Sequence, residues 1–328
     1  MATRADWERV AARRVINILR QPNRLVATNR MLESKISEAG PFPQRAQPVS
    51  ITDAIRSLKL RNTIRTEIPD TELSTPAYSL ASADSQIPAS RRDQILQAYS
   101  AYTTAAGDDK MCAQALETVV HNSLTSSSSF SVLHSEVVHG RPKQIAIGTS
   151  TLDNSAPLDH VARHDGTGLV FGIEDKNYRE WIYPDSHVPH LKRFLSKCIR
   201  NNITGLLITR KLPYVTRLFL KRLGVLGFET HHQYFNPNMT TALKEARSSD
   251  GLGFHDISFT TEENPNLTTY LNHLNHSTLT SYAEMFDKNR SAIEAFAVQD
   301  TIGYQELLNE IGLPWKDLEG EAYDYEPW

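Results

Sequence analysis

The stretch Gly168 to Pro184, GLVFGIEDKNYREWIYP, constrains the fold more than any other, because an apolar run turns charged within a few residues. Leu169, Val170, Phe171 and Ile173 carry the β-branched and aromatic bias of a buried strand, and Asp165-Gly166-Thr167-Gly168 ahead of them is turn chemistry. A second strand-like run, Leu158 to His164, precedes that turn, so the two read as a hairpin centred between Gly166 and Thr167. With that centre, Asp159 lies directly opposite Glu174.

Opposite residues of an antiparallel pair share a face, with Cβ atoms roughly 4.5–5.5 Å apart. The period of two puts Lys176 on the same face as Glu174, and Asp175 on the other with Ile173 and Phe171. Two carboxylates held that close repel one another, and a hard divalent cation with oxygen preference, Mg²⁺ or Mn²⁺, satisfies them. Two other acid-x-lysine triplets, Glu33-Ser34-Lys35 and Asp108-Asp109-Lys110, fall in polar or helical surroundings. Only the third ends an apolar strand with an aspartate across a hairpin. The competing reading of such a triplet is a surface salt bridge between Lys176 and Glu174 or Asp159.

This constellation, Pro157-Leu158-Asp159 followed by Glu174-Asp175-Lys176, resembles the active site of the PD-(D/E)XK nuclease superfamily, with one extra residue between the proline and the aspartate. The resemblance covers roughly residues 110–237. It implies an α/β, restriction-endonuclease-like core, a mixed sheet flanked by helices in the order αβββαβ, here with an N-terminal helical domain and a C-terminal helical extension. It implies a Mg²⁺-dependent endonuclease, with Mn²⁺ substituting, that hydrolyses phosphodiester bonds in DNA, in restriction or defence. Asp159 and Glu174 would hold the cation with the carbonyl of Asp175, Lys176 would hold or deprotonate the attacking water, and Glu117 on the first core helix would join the metal site. Cleavage of both strands on this fold implies a homodimer.

The net charge of −3 fits a nucleic-acid enzyme only when divided along the chain. Residues 1–65 carry 13 Lys/Arg against 5 Asp/Glu, whereas residues 250–328 carry 3 against 15. From Ser186 to Phe228 there is no acid. A one-signed stretch beside paired carboxylates is what a phosphate-tracking groove requires, and Lys192, Arg193, Arg210 and Lys211 are its candidates, with Asn177 and Arg179 just beyond the motif.

Organisation follows from periodicity and breakers. Residues 1–87 read as a basic helical domain with a linker: helices over 6–20 and 25–39 and one after Ser50, then a Pro, Ser and Thr-rich stretch over 66–90. Such helices form a winged-helix or other small DNA-binding module, or a solvated bundle. Residues 88–245 read as the catalytic domain, with helices over 88–103 and 110–124, strands over 130–138 and 144–148, the hairpin, a helix over 191–200, a strand over 203–209, a helix over 212–223 and a strand over 227–235. Residues 246–328 read as an acidic helical region, with helices over 267–274, 282–298 and 305–311.

Other chemistries find little footing. Cys112 and Cys198 lack CxxC spacing and read as buried thiols. His187-x-x-His190 and His273-x-x-His276 lack the companions of a zinc site, and the absence of GxxxxGK and GxGxxG loops leaves no nucleotide cofactor. Gln233 reads as a strand-end residue approaching the site. No apolar run reaches membrane-helix length, so the sequence predicts a cytoplasmic protein without membrane contact. The rival functions are a non-catalytic nucleic-acid-binding or assembly protein on the same fold, and an RNA nuclease.

Overall fold

The computed structural model describes residues 4–21, 26–37, 46, 48–67, 76–81, 89–107, 109–140, 144–147, 150–153, 157–179, 181–182 and 188–313. These fall into two compact units, unit 1 from residues up to 107 with 238–257, and unit 2 from residues 109–237 with 258–313.

In unit 1 the amphipathic helix α1 (Arg4–Leu19) buries Ala11, Val15 and Leu19. A short strand β1 (Ala27–Thr28) leads into α2 (Asn29–Ile36), capped by the Thr28 hydroxyl accepting from the Met31 amide. Helix α3 (Pro48–Leu60) buries Ile51, Ala54, Ile55 and Leu58. Strands β2 (Ile64–Glu67) and β3 (Ala77–Leu80) then pair antiparallel, and β3 pairs with β1, giving the order β1-β3-β2. Helices α4 (Ala89–Gly107) and α9 (Lys244–Arg247) pack together in the same unit. The two strands lie inside and just before the stretch that reads as linker, and α4 stands with the N-terminal elements.

Unit 2 is built on a five-stranded mixed sheet. Helix α5 (Asp109–Ser126) is followed by β4 (Phe130–Ser135), a single turn of helix α6 (Glu136–His139), the separate hairpin β5 (Gln144–Ile147) and β6 (Ser150–Asp153), and then β7 (His160–His164) and β8 (Val170–Lys176). Helix α7 (Val188–Asn201), β9 (Thr204–Thr209), α8 (Tyr214–Leu223) and β10 (Leu226–Glu229) complete the layer in the order β10-β9-β8-β7-β4. Strands β4, β7 and β8 form an antiparallel meander, while β8, β9 and β10 run parallel. Residues 130–138 therefore leave strand geometry after Ser135, and Gln144–Ile147 lies outside the main sheet.

The hairpin has the expected register. His160 pairs with Ile173, Val161 with Gly172 and Ala162 with Phe171. One step further the same register sets Asp159 against Glu174.

Both faces of the sheet are covered, which is why every residue of β9 is buried. Leu116, Val119 and Val120 of α5 cover one face with Phe171, Ile173 and Ile208. Phe194, Leu195 and Cys198 of α7 and Phe219 and Leu220 of α8 cover the other. The C-terminal helices belong to these cores: Leu267 and Leu271 of α10 (Pro265–His273) join the α5 face, and Phe286 of α11 (His276–Lys288), Ile293 and Phe296 of α12 (Arg290–Ala297) and Leu307 of α13 (Tyr304–Glu310) join the α7 face. Residues 183–187, which include His187, and the acidic run 314–328 lie outside the described residues. Among the described residues no helix is long and apolar enough to cross a membrane.

Candidate active site

Strand alternation divides the charged end of β8 between the two faces of the sheet. Glu174 and Lys176 face the α7 side. The Lys176 ammonium lies 2.7 Å from one Glu174 carboxylate oxygen, and the Lys197 ammonium, projected from α7, lies 2.6 Å from the other. All three side chains are largely buried. Burial alone would raise the Glu174 carboxyl, but the two ammoniums outweigh it and hold the group below the usual carboxylate range. Lys176 moves the other way. Burial disfavours its charge, yet Glu174 and then Asp159 hold it protonated well above an ordinary lysine.

Asp159 stands at the head of β7, and one of its oxygens accepts the backbone N–H of Asp175 at 2.7 Å. Burial, then the charge of Glu174, push its carboxyl up to about 8, against the opposing pull of Lys176. The two acids therefore ionise in two steps, Glu174 first. Hairpin register, a shared face and mutual charge bring Asp159, Glu174 and Lys176 into one cluster.

A second polar cluster occupies the α5 face. The buried His160 ring lies 2.8 Å from an Asp175 oxygen through Nε2 and 3.0 Å from the Ser135 hydroxyl through Nδ1. Burial lowers the His160 pKa, but the charge and hydrogen bond of Asp175 outweigh it and raise the pKa overall. The second Asp175 oxygen is buried with no hydrogen-bond partner. Glu117 belongs here: burial and then the Asp175 charge push its carboxyl up to about 7. Serine, histidine and aspartate in series have the composition of a nucleophile triad, but Ser135 is fully buried.

The candidate phosphate ligands separate into two groups. Asn177 is buried, its amide donating to the carbonyls of Cys112 at 2.7 Å and Tyr234 at 2.6 Å while its carbonyl accepts from the Tyr234 amide at 3.0 Å. Arg179 is buried, and Arg210, fully buried, donates to the backbone carbonyls of Tyr178 and Arg179. Gln233 is buried and donates to the Asn177 carbonyl at 3.4 Å. These side chains fix the exit of β8. Lys192 pairs with Asp300 and lies over the Phe296 ring. Arg193 is exposed on α7, and Lys211 is half-buried with its ammonium 3.0 Å from His231.

Lys197, His160 and Ser135 join these polar clusters although the motif does not announce them. For His160 a signal existed, because the hairpin register that pairs it with Ile173 also puts it on the face of Asp175. For Lys197 the signal is weaker: it adjoins Phe194, Leu195 and Cys198 on the buried side of α7. Cys198 and Cys112 are buried thiols. Among the described residues no group of three or more His, Cys, Asp or Glu side chains is arranged to hold a metal ion. No family model, curated protein or solved structure matches the chain.

Proposed function

We propose that unit 2 hydrolyses phosphodiester bonds in DNA with the help of a divalent cation, Mg²⁺ or Mn²⁺, on a restriction-endonuclease-like core of the PD-(D/E)XK kind. The observation that carries this reading is geometric: the hairpin register sets Asp159 against Glu174, Asp159 accepts the Asp175 N–H at 2.7 Å, and the Lys176 ammonium lies 2.7 Å from Glu174. The element order supports it. Helix α5, the meander β4-β7-β8, helix α7 and the parallel strand β9 follow the αβββαβ order of that fold, with β5–β6 inserted.

The donor set fits a hard cation. Asp159 and Glu174 would supply carboxylate oxygen, Glu174 by giving up an ammonium partner, and Mg²⁺ characteristically takes one or two carboxylates with water and substrate phosphate. The carbonyl of Asp175 is the third candidate donor. A bound cation would supply Lewis-acid polarisation of the phosphoryl group and a more acidic water. The chain's own groups do the rest. Glu174 and Asp159 favour the protonated form of Lys176, which suits it to donate to an anionic oxygen of the phosphodiester. Asp159 is the carboxyl of the pair whose proton affinity lies near neutrality, and it must release that proton to accept a cation.

A second reading, a non-catalytic nucleic-acid-binding protein, draws on one observation: both Glu174 oxygens already have ammonium partners. Supercoiled plasmid with Mg²⁺ or Mn²⁺ separates the two. The nuclease reading predicts metal-dependent nicking that falls by about 10²-fold or more in Lys176→Ala and Glu174→Ala. A wild-type chain that binds DNA and nicks neither DNA nor RNA in either metal contradicts it. Cleavage confined to RNA would transfer the same chemistry to the other nucleic acid.

A further inference from the structure

We infer that unit 1 carries a duplex-DNA-reading surface of its own, made by the outward face of α3 with the β2–β3 hairpin beside it. The order α1, β1, α2, α3, β2, β3, with the sheet arranged β1-β3-β2, is the topology of a winged helix-turn-helix module. In such modules the second helix of the pair enters the major groove and the first crosses the backbone. Helix α3 occupies the position of the reading helix. It is held from behind by Ile51, Ala54, Ile55 and Leu58, and by Ser57 donating to Glu8 of α1 at 2.5 Å.

The opposite face of α3 is open. Val49, Thr52, Arg56 and Lys59 recur at helical spacing, and all four are exposed. That set mixes the three kinds of contact a major groove accepts: cationic donors for guanine edges and phosphates, a hydroxyl, and an aliphatic group for thymine methyls. Arg61 follows directly and is exposed, and Arg65 on β2 is half exposed. Arg56 pairs with Asp53 at 3.5 Å and Arg65 with Glu67 at 2.8 Å, but the two arginine side chains stay far more exposed than their partners, at 71% and 52% against 15% and 16%.

Charge complementarity selects the occupant. Residues 1–65 carry 13 Lys/Arg against 5 Asp/Glu, a polyanion-binding balance. A helix with an exposed reading face suits the wide major groove of B-form DNA, whereas the deep, narrow major groove of A-form RNA excludes it. The inference stands independently of the chemistry in unit 2, since it concerns binding and uses none of the residues of the carboxylate cluster.

The test uses the full chain with EDTA, so that no cleavage intervenes, and a duplex selected from a random pool. The double variant Arg56→Gln/Lys59→Gln alters only exposed side chains, and its fold is checked by its unfolding midpoint. Removing two phosphate or base contacts is expected to weaken binding about tenfold or more and to reduce the slope of log K against log salt by about 2. Thr52→Ala should relax the selected sequence with less effect on affinity for random duplex. Binding is scored in EDTA and nicking separately with metal, so failure of this claim and failure of the nuclease reading are distinguishable. Unchanged affinity and slope in a folded double variant, no binding by the wild type at low salt, or tighter binding to an RNA duplex than to DNA would each overturn it.

Discussion

Burial and the neighbouring Glu174 charge push the Asp159 carboxyl up to about 8, so its folded form favours the proton far more than an ordinary carboxylate does. An acid raised in the folded state makes its full contribution to stability below its unfolded pKa, near 4, and loses it as pH rises through 8. Asp159→Asn keeps an acceptor for the Asp175 amide and removes the titration. In EDTA, the melting temperature of the variant relative to wild type should therefore shift upward between pH 5 and pH 9, by about 2–4 °C for each kcal/mol relieved. A difference that is flat across this range would mean that Asp159 is not the strained acid of the pair. Glu117, raised to about 7, adds a dependence of the same sign over a lower window. The Asp159, Glu174 and Lys176 cluster was legible in the sequence because a hairpin with a marked turn fixes register locally. Lys197 was not, since its approach to Glu174 depends on how α7 packs across the sheet, a non-local fact. Asn177 and Arg210 looked like phosphate ligands for the same reason in reverse: their types suit the task, but tertiary packing has given their hydrogen bonds to the backbone.

At the scale of elements, the turn from α8 into β10 is a demanding joint in unit 2. Gly224 caps α8 in the left-handed region, at φ 76°, and a Cβ there would come within 2.3 Å of the Phe286 backbone nitrogen and 2.4 Å of the Tyr282 carbonyl in α11. Gly224→Ala combines left-handed strain with a collision against backbone, so it should destabilise unit 2 by at least about 2 kcal/mol, measured by urea or thermal unfolding. A change under about 0.5 kcal/mol would mean that α11 does not pack against that turn as described. The long periodic helices were legible, while short pieces were not. IRTE and AYSL become strands only because each finds a partner, and a Pro, Ser and Thr-rich context conceals them. The pattern over 282–298 reads as one helix but is two, broken at Asn289, whose side chain donates to the Arg222 carbonyl at 2.7 Å.

Across the whole chain, charge and packing divide it differently. The acidic residues 250–328 suggest a separate body, yet their helices α10 to α13 place Leu267, Leu271, Phe286, Ile293, Phe296 and Leu307 in the cores on either side of the main sheet. Composition reports which surface repels a polyanion, and apolar periodicity reports what is buried; here they belong to the same segments. On the proposed reading, substitutions in the basic N-terminal residues are expected to change affinity for DNA, and those in the carboxylate cluster of unit 2 its cleavage. The account rests most on the pairing of Asp159 with Glu174 as a cation site, and crystals soaked in Mn²⁺ test it directly. Anomalous diffraction should place a peak in contact with both carboxylates, absent from Glu174→Ala crystals soaked in the same way; full Mn²⁺ peaks elsewhere, with Glu174 still gripped by Lys176 and Lys197, would contradict it.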